Sequence, residues 1–110
     1  MNGQDLVFKL RMLALAREAW EKKKWEPCGS LAVLSAVVDR LPWRWRRCLE
    51  IMDIYREDFA DEPGGALFAA AEELACEAST VYRVRQAALR KLALLLESVD
   101  ASKPDETGKR

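Results

Sequence analysis

Residues Ala71 to Leu92 read AEELACEASTVYRVRQAALRKL, and the spacing of their apolar side chains predicts two helices packed through a tight turn. Ala71 is small enough to let the two helices approach each other. Ala75 occupies the turn position at which glycine is usual, so a left-handed backbone there would be strained. The inward residues of the second helix are Val81, Val84, Ala88 and Leu92. We therefore predict a helix-turn-helix with its turn at Cys76 to Ala78.

Helical spacing extends over the rest of the chain, and strand signals are nearly absent. Asp5 is a predicted N-cap for a first helix of about twenty residues, and Ser30 is a predicted N-cap for a second. Pro42 ends the second helix and can open the third. Because the second helix is apolar nearly all round, we expect it to be the most buried one.

The later helices are predicted from loops and from apolar faces. The third helix has an inward face that consists of Trp45, Cys48, Leu49, Met52, Tyr55 and Phe59. Asp61 to Gly65 is the clearest loop. The last two helices are expected at Ala66 to Ala75 and from Ser79 to about Val99. The prediction is thus an all-α fold, a compact bundle of about five helices with a C-terminal helix-turn-helix.

A single helical domain is predicted over residues 1–100 of this 110-residue chain. It comprises an N-terminal helical pair at 5–40 and the helix-turn-helix part at 41–99. The residues from 101 to 110 have no hydrophobe larger than alanine, and we expect them to form a disordered tail.

The composition of the chain argues against several classes of function. The chain has 18 basic and 18 acidic residues, which argues against a polyelectrolyte-like binder of nucleic acid but permits a local basic patch. It has no histidine, the usual general acid or base near neutral pH, so we expect neither an enzyme nor a cofactor. The three cysteines are interpreted as small buried hydrophobes in a cytoplasmic protein. No apolar run is long enough to cross a bilayer, so a membrane partner is not expected.

The outward face of the last predicted helix is polar and partly basic. Arg83 can pair with guanine and Gln86 with adenine in the DNA major groove, while Ser79 and Thr80 can bond phosphates or base edges. The predicted DNA-binding residues are Ser79, Thr80, Arg83, Arg85, Gln86 and Arg90. The alternative is the solvated face of an ordinary bundle helix.

Trp43 to Arg47 read WRWRR, with three arginines near a helix N-terminus where the helix dipole opposes them. Phosphates beside the last helix are one set of partners for Arg44, Arg46 and Arg47. The carboxylates of the chain itself are another, and the candidates are Glu50, Glu72 and Glu73.

The segment from Thr80 to Leu92 resembles the recognition helix of the fourth region of bacterial sigma factors, which commonly ends in the ALRKL seen here at 88–92. Leu41-Pro42, followed by an arginine and by Leu49-Glu50, is similar to the opening of that region. Small phage transcriptional regulators of the RinA and ArpU type share this layout. The resemblance implies a DNA-binding transcriptional regulator, with double-stranded DNA and RNA polymerase as partners.

Two features depart from the family pattern. The connection between Leu49 and Leu74 is several residues longer than in most sigma fourth regions. Glu77 stands where a serine usually caps the recognition helix, unless Ser79 caps it further along.

A helical protein-interaction module is the alternative function. The segment EPCGSL at 26–31 is similar to EPGGAL at 62–67, an offset of 36 residues that helix-hairpin repeats such as tetratricopeptides also show. The four tryptophans and the apolar second helix also favour a homodimer.

Overall fold

A computed structural model describes residues 3–102, and the side chains of residues 4–99. Five α-helices, one π-helical turn and one 3₁₀ turn make up the fold, and no strand occurs within these residues. The elements are α1 (Gly3–Lys23), α2 (Gly29–Asp39), α3 (Trp43–Leu49), the π-helical turn (Glu50–Ile54), the 3₁₀ turn (Arg56–Phe59), α4 (Gly65–Leu74) and α5 (Ala78–Ser102). The predicted all-α bundle of about five helices is confirmed. None of the helices within the described residues is long and apolar enough to cross a membrane.

The core consists of two apolar clusters. The first lies between α1, α2 and the middle of α5, and its buried members include Leu10, Leu34 and Leu92. The second lies between α4 and the start of α5, and it includes Leu74 and Val81. Residues 48–54 contribute to both clusters, and every residue of this run except position 50 is buried.

The prediction that the second helix is the most buried was therefore wrong. Only Leu34, Val37 and Val38 of α2 are buried, and Ala36 on its outer side is exposed. Alanines make this helix look apolar nearly all round, but their small side chains bury little apolar area.

The third helix does not continue to Phe59 as one α-helix. At Glu50 the backbone widens, and the Tyr55 N–H donates to the Glu50 carbonyl at 2.7 Å, a bond across five residues. A π-helical turn of this kind reorients the residues that follow it. It permits four consecutive residues, Ile51 to Ile54, to be buried together between α1 and α4.

A single arginine ties α1 to its neighbours. The Arg17 guanidinium donates to the Ser35 hydroxyl at 2.9 Å and to the Tyr55 hydroxyl at 3.0 Å. It also bonds the Asp39 carboxylate at 3.2 Å. One side chain therefore links α1 to α2, through Ser35 and Asp39. It also links α1 to Tyr55, which lies between the π-helical turn and the 3₁₀ turn.

The predicted helix starts need correction. Asp5 lies within the first turn of α1 rather than ahead of it. Cys28 rather than Ser30 is the N-cap of α2, and its side chain accepts no capping hydrogen bond. The first residues of α2 and α4 are Gly29 and Gly65, whose φ angles of 79° and 69° favour glycine. The two similar segments thus open their helices alike.

The connection between α4 and α5 is a three-residue turn at residues 75–77, one residue earlier than predicted. Ala75 has the left-handed backbone expected of it, with φ 55° and ψ 50°. The Cys76 N–H donates to the Ala71 carbonyl at 2.9 Å, and the Ala75 N–H donates to the Glu72 carbonyl at 3.2 Å. These are the two bonds of a Schellman motif, which closes the helix by satisfying its last carbonyls.

α5 begins at Ala78, so Glu77 is the residue that precedes it, and Ser79 already lies inside the helix. Of the predicted inward residues, Val81, Ala88 and Leu92 are buried and Val84 is half-buried. The helix extends to Ser102, beyond the expected end near Val99. The rest of the predicted tail, residues 103–110, lies outside the described residues.

Replacing Ala75 by glycine is expected to stabilise the protein. A left-handed conformation costs an L-residue about 1–2 kcal/mol, and glycine avoids this cost. The more flexible unfolded state of the glycine variant offsets part of the gain. We predict a gain of about 1 kcal/mol in the free energy of unfolding, measured by urea denaturation. Ala36→Gly, at an exposed site inside α2, is the matched control and should lose about 0.5–1 kcal/mol. An Ala75→Gly protein no more stable than the parent would contradict the strain at this turn.

Candidate nucleic-acid interface

One face of α5 is polar, exposed and continuous. Its exposed members are Ser79, Tyr82, Arg83, Gln86 and Arg90. Helical spacing places these five side chains in one stripe, called here the α5 face, that spans three turns or about 17 Å. Thr80 lies at its edge and is half-buried.

The α5 face contains four of the six predicted DNA-binding residues, with Thr80 at its edge, and it adds one that the sequence analysis did not include. Tyr82 is 51% exposed. Its position four residues before Gln86 and three after Ser79 was the signal that placed it on this face.

The charge of the α5 face is positive, because both of its charged members are arginines. Within the part of the chain that the structure describes, Arg83, Gln86 and Arg90 form no ion pair or hydrogen bond through their side chains. The sequence of α5 contains no acidic residue before Glu97. A protein of zero net charge therefore presents a basic stripe on this helix.

Arg85 does not belong to the α5 face, which corrects its prediction as a DNA-binding residue. Its Nε and Nη2 atoms each donate to one carboxylate oxygen of Asp53, both at 2.8 Å. Position 85 is four residues after Val81 and three before Ala88, and both of those residues are buried. The helical spacing of the sequence already groups Arg85 with these inward residues, although the prediction assigned it to the DNA-binding face.

Asp53 is the one buried charged residue among the side chains that the structure describes, with 1% of its surface exposed. The two-pronged bond from Arg85 satisfies both carboxylate oxygens, which a buried carboxylate requires. The hydrogen bond to Asp53 raises the pKa of Arg85, against the lowering effect of burial. This ion pair connects the π-helical turn to α5.

A buried thiol lies beside this ion pair. The Cys48 Sγ donates to the Val81 carbonyl at 3.8 Å. Burial, assisted by the negative charge of Asp53, raises the pKa of Cys48 to about 11. Of the three cysteines that the sequence analysis expected to be buried, Cys48 is buried and Cys76 is intermediate. The expectation was wrong for Cys28, which is exposed.

The three predicted phosphate-binding arginines have partners within the chain. Arg44 donates to the Leu74 carbonyl at 2.9 Å, so it neutralises the negative end of α4. Arg47 bonds both carboxylate oxygens of Glu73, one of them at 3.2 Å, and Glu50 at 3.0 Å. The bond to Glu73 raises the pKa of Arg47.

Arg46 approaches Glu50 at 4.0 Å and the Asp39 carbonyl at 3.5 Å. Of the two sets of partners that the sequence permits, the structure contains the intramolecular one. The arginine cluster nevertheless lies beside the α4–α5 turn, through the contacts of Arg44 and Arg47 with α4. There Arg47 neutralises the Glu73 carboxylate near the end of α4.

Comparison of the chain with family models, with curated proteins and with solved structures finds no match. Among the residues that the structure describes, no three Cys, Asp or Glu side chains come close enough together to hold a metal ion. The geometry and charge of α5 are therefore the features that bear on function.

Removing Arg85 is expected to destabilise the fold severely. Arg85→Ala leaves the buried Asp53 carboxylate unpaired, and breaking a buried ion pair costs about 3–5 kcal/mol. Asp53→Leu combined with Arg85→Met should lose much less, because no buried charge is left. Arg83→Ala, an exposed arginine two positions away, is the control and should change stability by less than about 0.5 kcal/mol. Urea denaturation measures all three. A loss below about 1 kcal/mol for Arg85→Ala would show that the ion pair is not a structural constraint.

Cys48 should resist thiol reagents while the protein is folded. Its raised pKa and burial leave almost no accessible thiolate at pH 8, whereas Cys28 is exposed. Because the folded pKa exceeds the ordinary value of 9.0, the stabilisation from this thiol is complete below pH 9. It is lost as the pH rises through about 11. Mass-spectrometric mapping of alkylation checks the reactivity. Labelling of Cys48 as fast as Cys28 in native protein would contradict the buried position.

Proposed function

We propose that the protein is a DNA-binding transcriptional regulator whose α5 enters the major groove of double-stranded DNA. The observation that supports this most directly is the α5 face. A helix that follows a three-residue turn presents two arginines and a glutamine whose side chains have no hydrogen bond or ion pair among the described residues.

The dimensions of α5 suit this role. A helix with its side chains is about 10–12 Å in diameter, and the major groove is about 12 Å wide. The α5 face is about 17 Å long, which corresponds to about five base pairs at 3.4 Å each. One recognition helix of this length covers a half-site rather than a full operator.

The residues of the α5 face have separate roles in this proposal. Arg83 donates two hydrogen bonds to a guanine, and Gln86 pairs with an adenine. Ser79, Thr80 and Arg90 bond phosphate oxygens or base edges and fix the register. Tyr82 contributes an exposed ring beside them.

The arginine cluster supports DNA binding indirectly. Glu73 lies on α4 near the turn, where a free carboxylate would repel phosphates. Arg47 neutralises it through two hydrogen bonds. Arg44 likewise offsets the negative end of α4 at the Leu74 carbonyl. RNA polymerase as a second partner follows from the resemblance to sigma factors alone.

Binding should require the α5 face and not basic charge in general. DNA sequences are selected from a randomised 20-base-pair duplex pool, and affinity is measured by fluorescence anisotropy. Because one two-pronged base contact contributes about 1–3 kcal/mol, Arg83→Ala with Gln86→Ala should weaken binding at least tenfold. Because the α5 face carries two cations, Arg83 and Arg90, the salt slope should be about −1 to −2.

The matched control is Gln4→Ala with Arg40→Ala. It removes the same residue types, from α1 and from a site beside Lys91 and Leu95 on the side of α5 away from the α5 face. The control should bind within twofold of the parent. A pool without enriched sequences, or equal losses in the two double variants, would refute the proposal.

A further inference from the structure

α1 exposes an apolar row on the side opposite its buried face. Phe8 is 63% exposed, Met12 39% and Leu15 65%. Their spacing of four and three residues puts them on one side of the helix, while Leu6, Leu10 and Leu13 face the core. Ala16 and Ala19 continue the row and are half-buried. This set from Phe8 to Ala19 is called the α1 row. Contiguous apolar side chains of this size mark an interaction surface.

We propose that the α1 row binds the α1 row of a second copy of this chain, with the two helices antiparallel. The size of the side chains changes along the row, because large residues lie toward the N-terminus and alanines toward the C-terminus. Antiparallel pairing centred between residues 13 and 14 places Phe8 of each copy against Ala19 of the other and Met12 against Leu15, with Ala16 about one turn from Phe8. Parallel pairing would instead set Phe8 against Phe8 and leave the alanines facing each other across a gap.

Charge follows the same antiparallel pattern. Arg11 and Glu18 are exposed on one flank of the row, seven residues or two turns apart. In the same antiparallel register, Arg11 of each copy and Glu18 of the other are two residues or about 3 Å apart along the helix axis, within reach of their long side chains, so the pair forms twice. Within the described residues, the Arg11 side chain has no hydrogen bond or ion pair of its own.

The surroundings of Glu18 favour an incoming guanidinium. A groove of about 380 Å³ lies between α1 and the 3₁₀ turn. Its lining includes Arg11 of the same chain, the apolar side chain of Leu15 and three carboxylates, those of Glu18, Glu57 and Asp58, so acidic groups outnumber the one cation. Glu18 already pairs with Lys22 at 2.9 Å, but both side chains are more than half exposed, and such a pair is readily exchanged.

The size of the α1 row sets the expected affinity. A helix of 21 residues is about 31 Å long and 10–12 Å wide, so its footprint is about 300–400 Å² per copy. Stable interfaces bury about 800 Å² per partner. We therefore expect a weak dimer, in which the groove edge adds to the helix contact.

Charge reversal tests the dimer in the absence of DNA, so the result is independent of the proposed function. Sedimentation equilibrium between about 2 and 200 µM measures the parent and four samples. Arg11→Glu and Glu18→Arg should each weaken dimerisation at least tenfold, because each puts like charges opposite one another. The double variant Arg11→Glu/Glu18→Arg should dimerise as the parent does. An equimolar mixture of the two single variants should form mixed dimers, detected by native mass spectrometry.

The controls are Arg83→Glu on α5 and Glu72→Arg on α4, both exposed, and neither should alter dimerisation. Circular dichroism verifies that each variant is folded, and the mixture restores pairing without any further substitution. A parent that stays monomeric at 200 µM would overturn the proposal. Single reversals without effect, or a double variant that fails to dimerise, would also overturn it.

Discussion

The buried ion pair between Asp53 and Arg85 is the constraint on which the arrangement of α5 depends. Asp53 is 1% exposed, and both of its carboxylate oxygens accept hydrogen bonds from the same guanidinium. An unpaired charge at this depth would be too costly to retain, so α5 must keep Arg85 turned inward. Helical geometry then turns Arg83, Gln86 and Arg90 outward. The basic stripe on the surface is thus set by an acidic residue in the core.

The π-helical turn makes this ion pair possible. Its wider backbone buries Ile51 to Ile54 in sequence, which a regular helix with one buried side would not do. The same run of residues belongs to both apolar clusters, as does α5. Asp53 and Arg85 therefore join the two halves of the core at the point where they meet. Cys48 shares that environment, which is why its thiol pKa is raised.

Local patterns predicted most of the helices, and long-range partners account for what they missed. The left-handed Ala75 and the buried Val81, Ala88 and Leu92 follow from spacing within one segment. The π-helical turn depends on packing from α1 and α4, which no local pattern records. The arginines from 44 to 47 depend equally on distant acceptors in α4. Arg85 could have been placed correctly, because its position on the inward stripe is a property of the sequence itself.

A nuclear magnetic resonance titration of the arginine Nε–H groups with a selected DNA duplex tests the central claim most directly. Arg83 and Arg90 should shift on addition of DNA, because their guanidinium groups have no partner within the described part of the chain. Arg85 should not shift, because Asp53 holds its Nε–H at 2.8 Å in the core. Shifts confined to arginines outside α5, or a shift of Arg85 with Arg83 unmoved, would contradict the account of α5 as the DNA-reading helix.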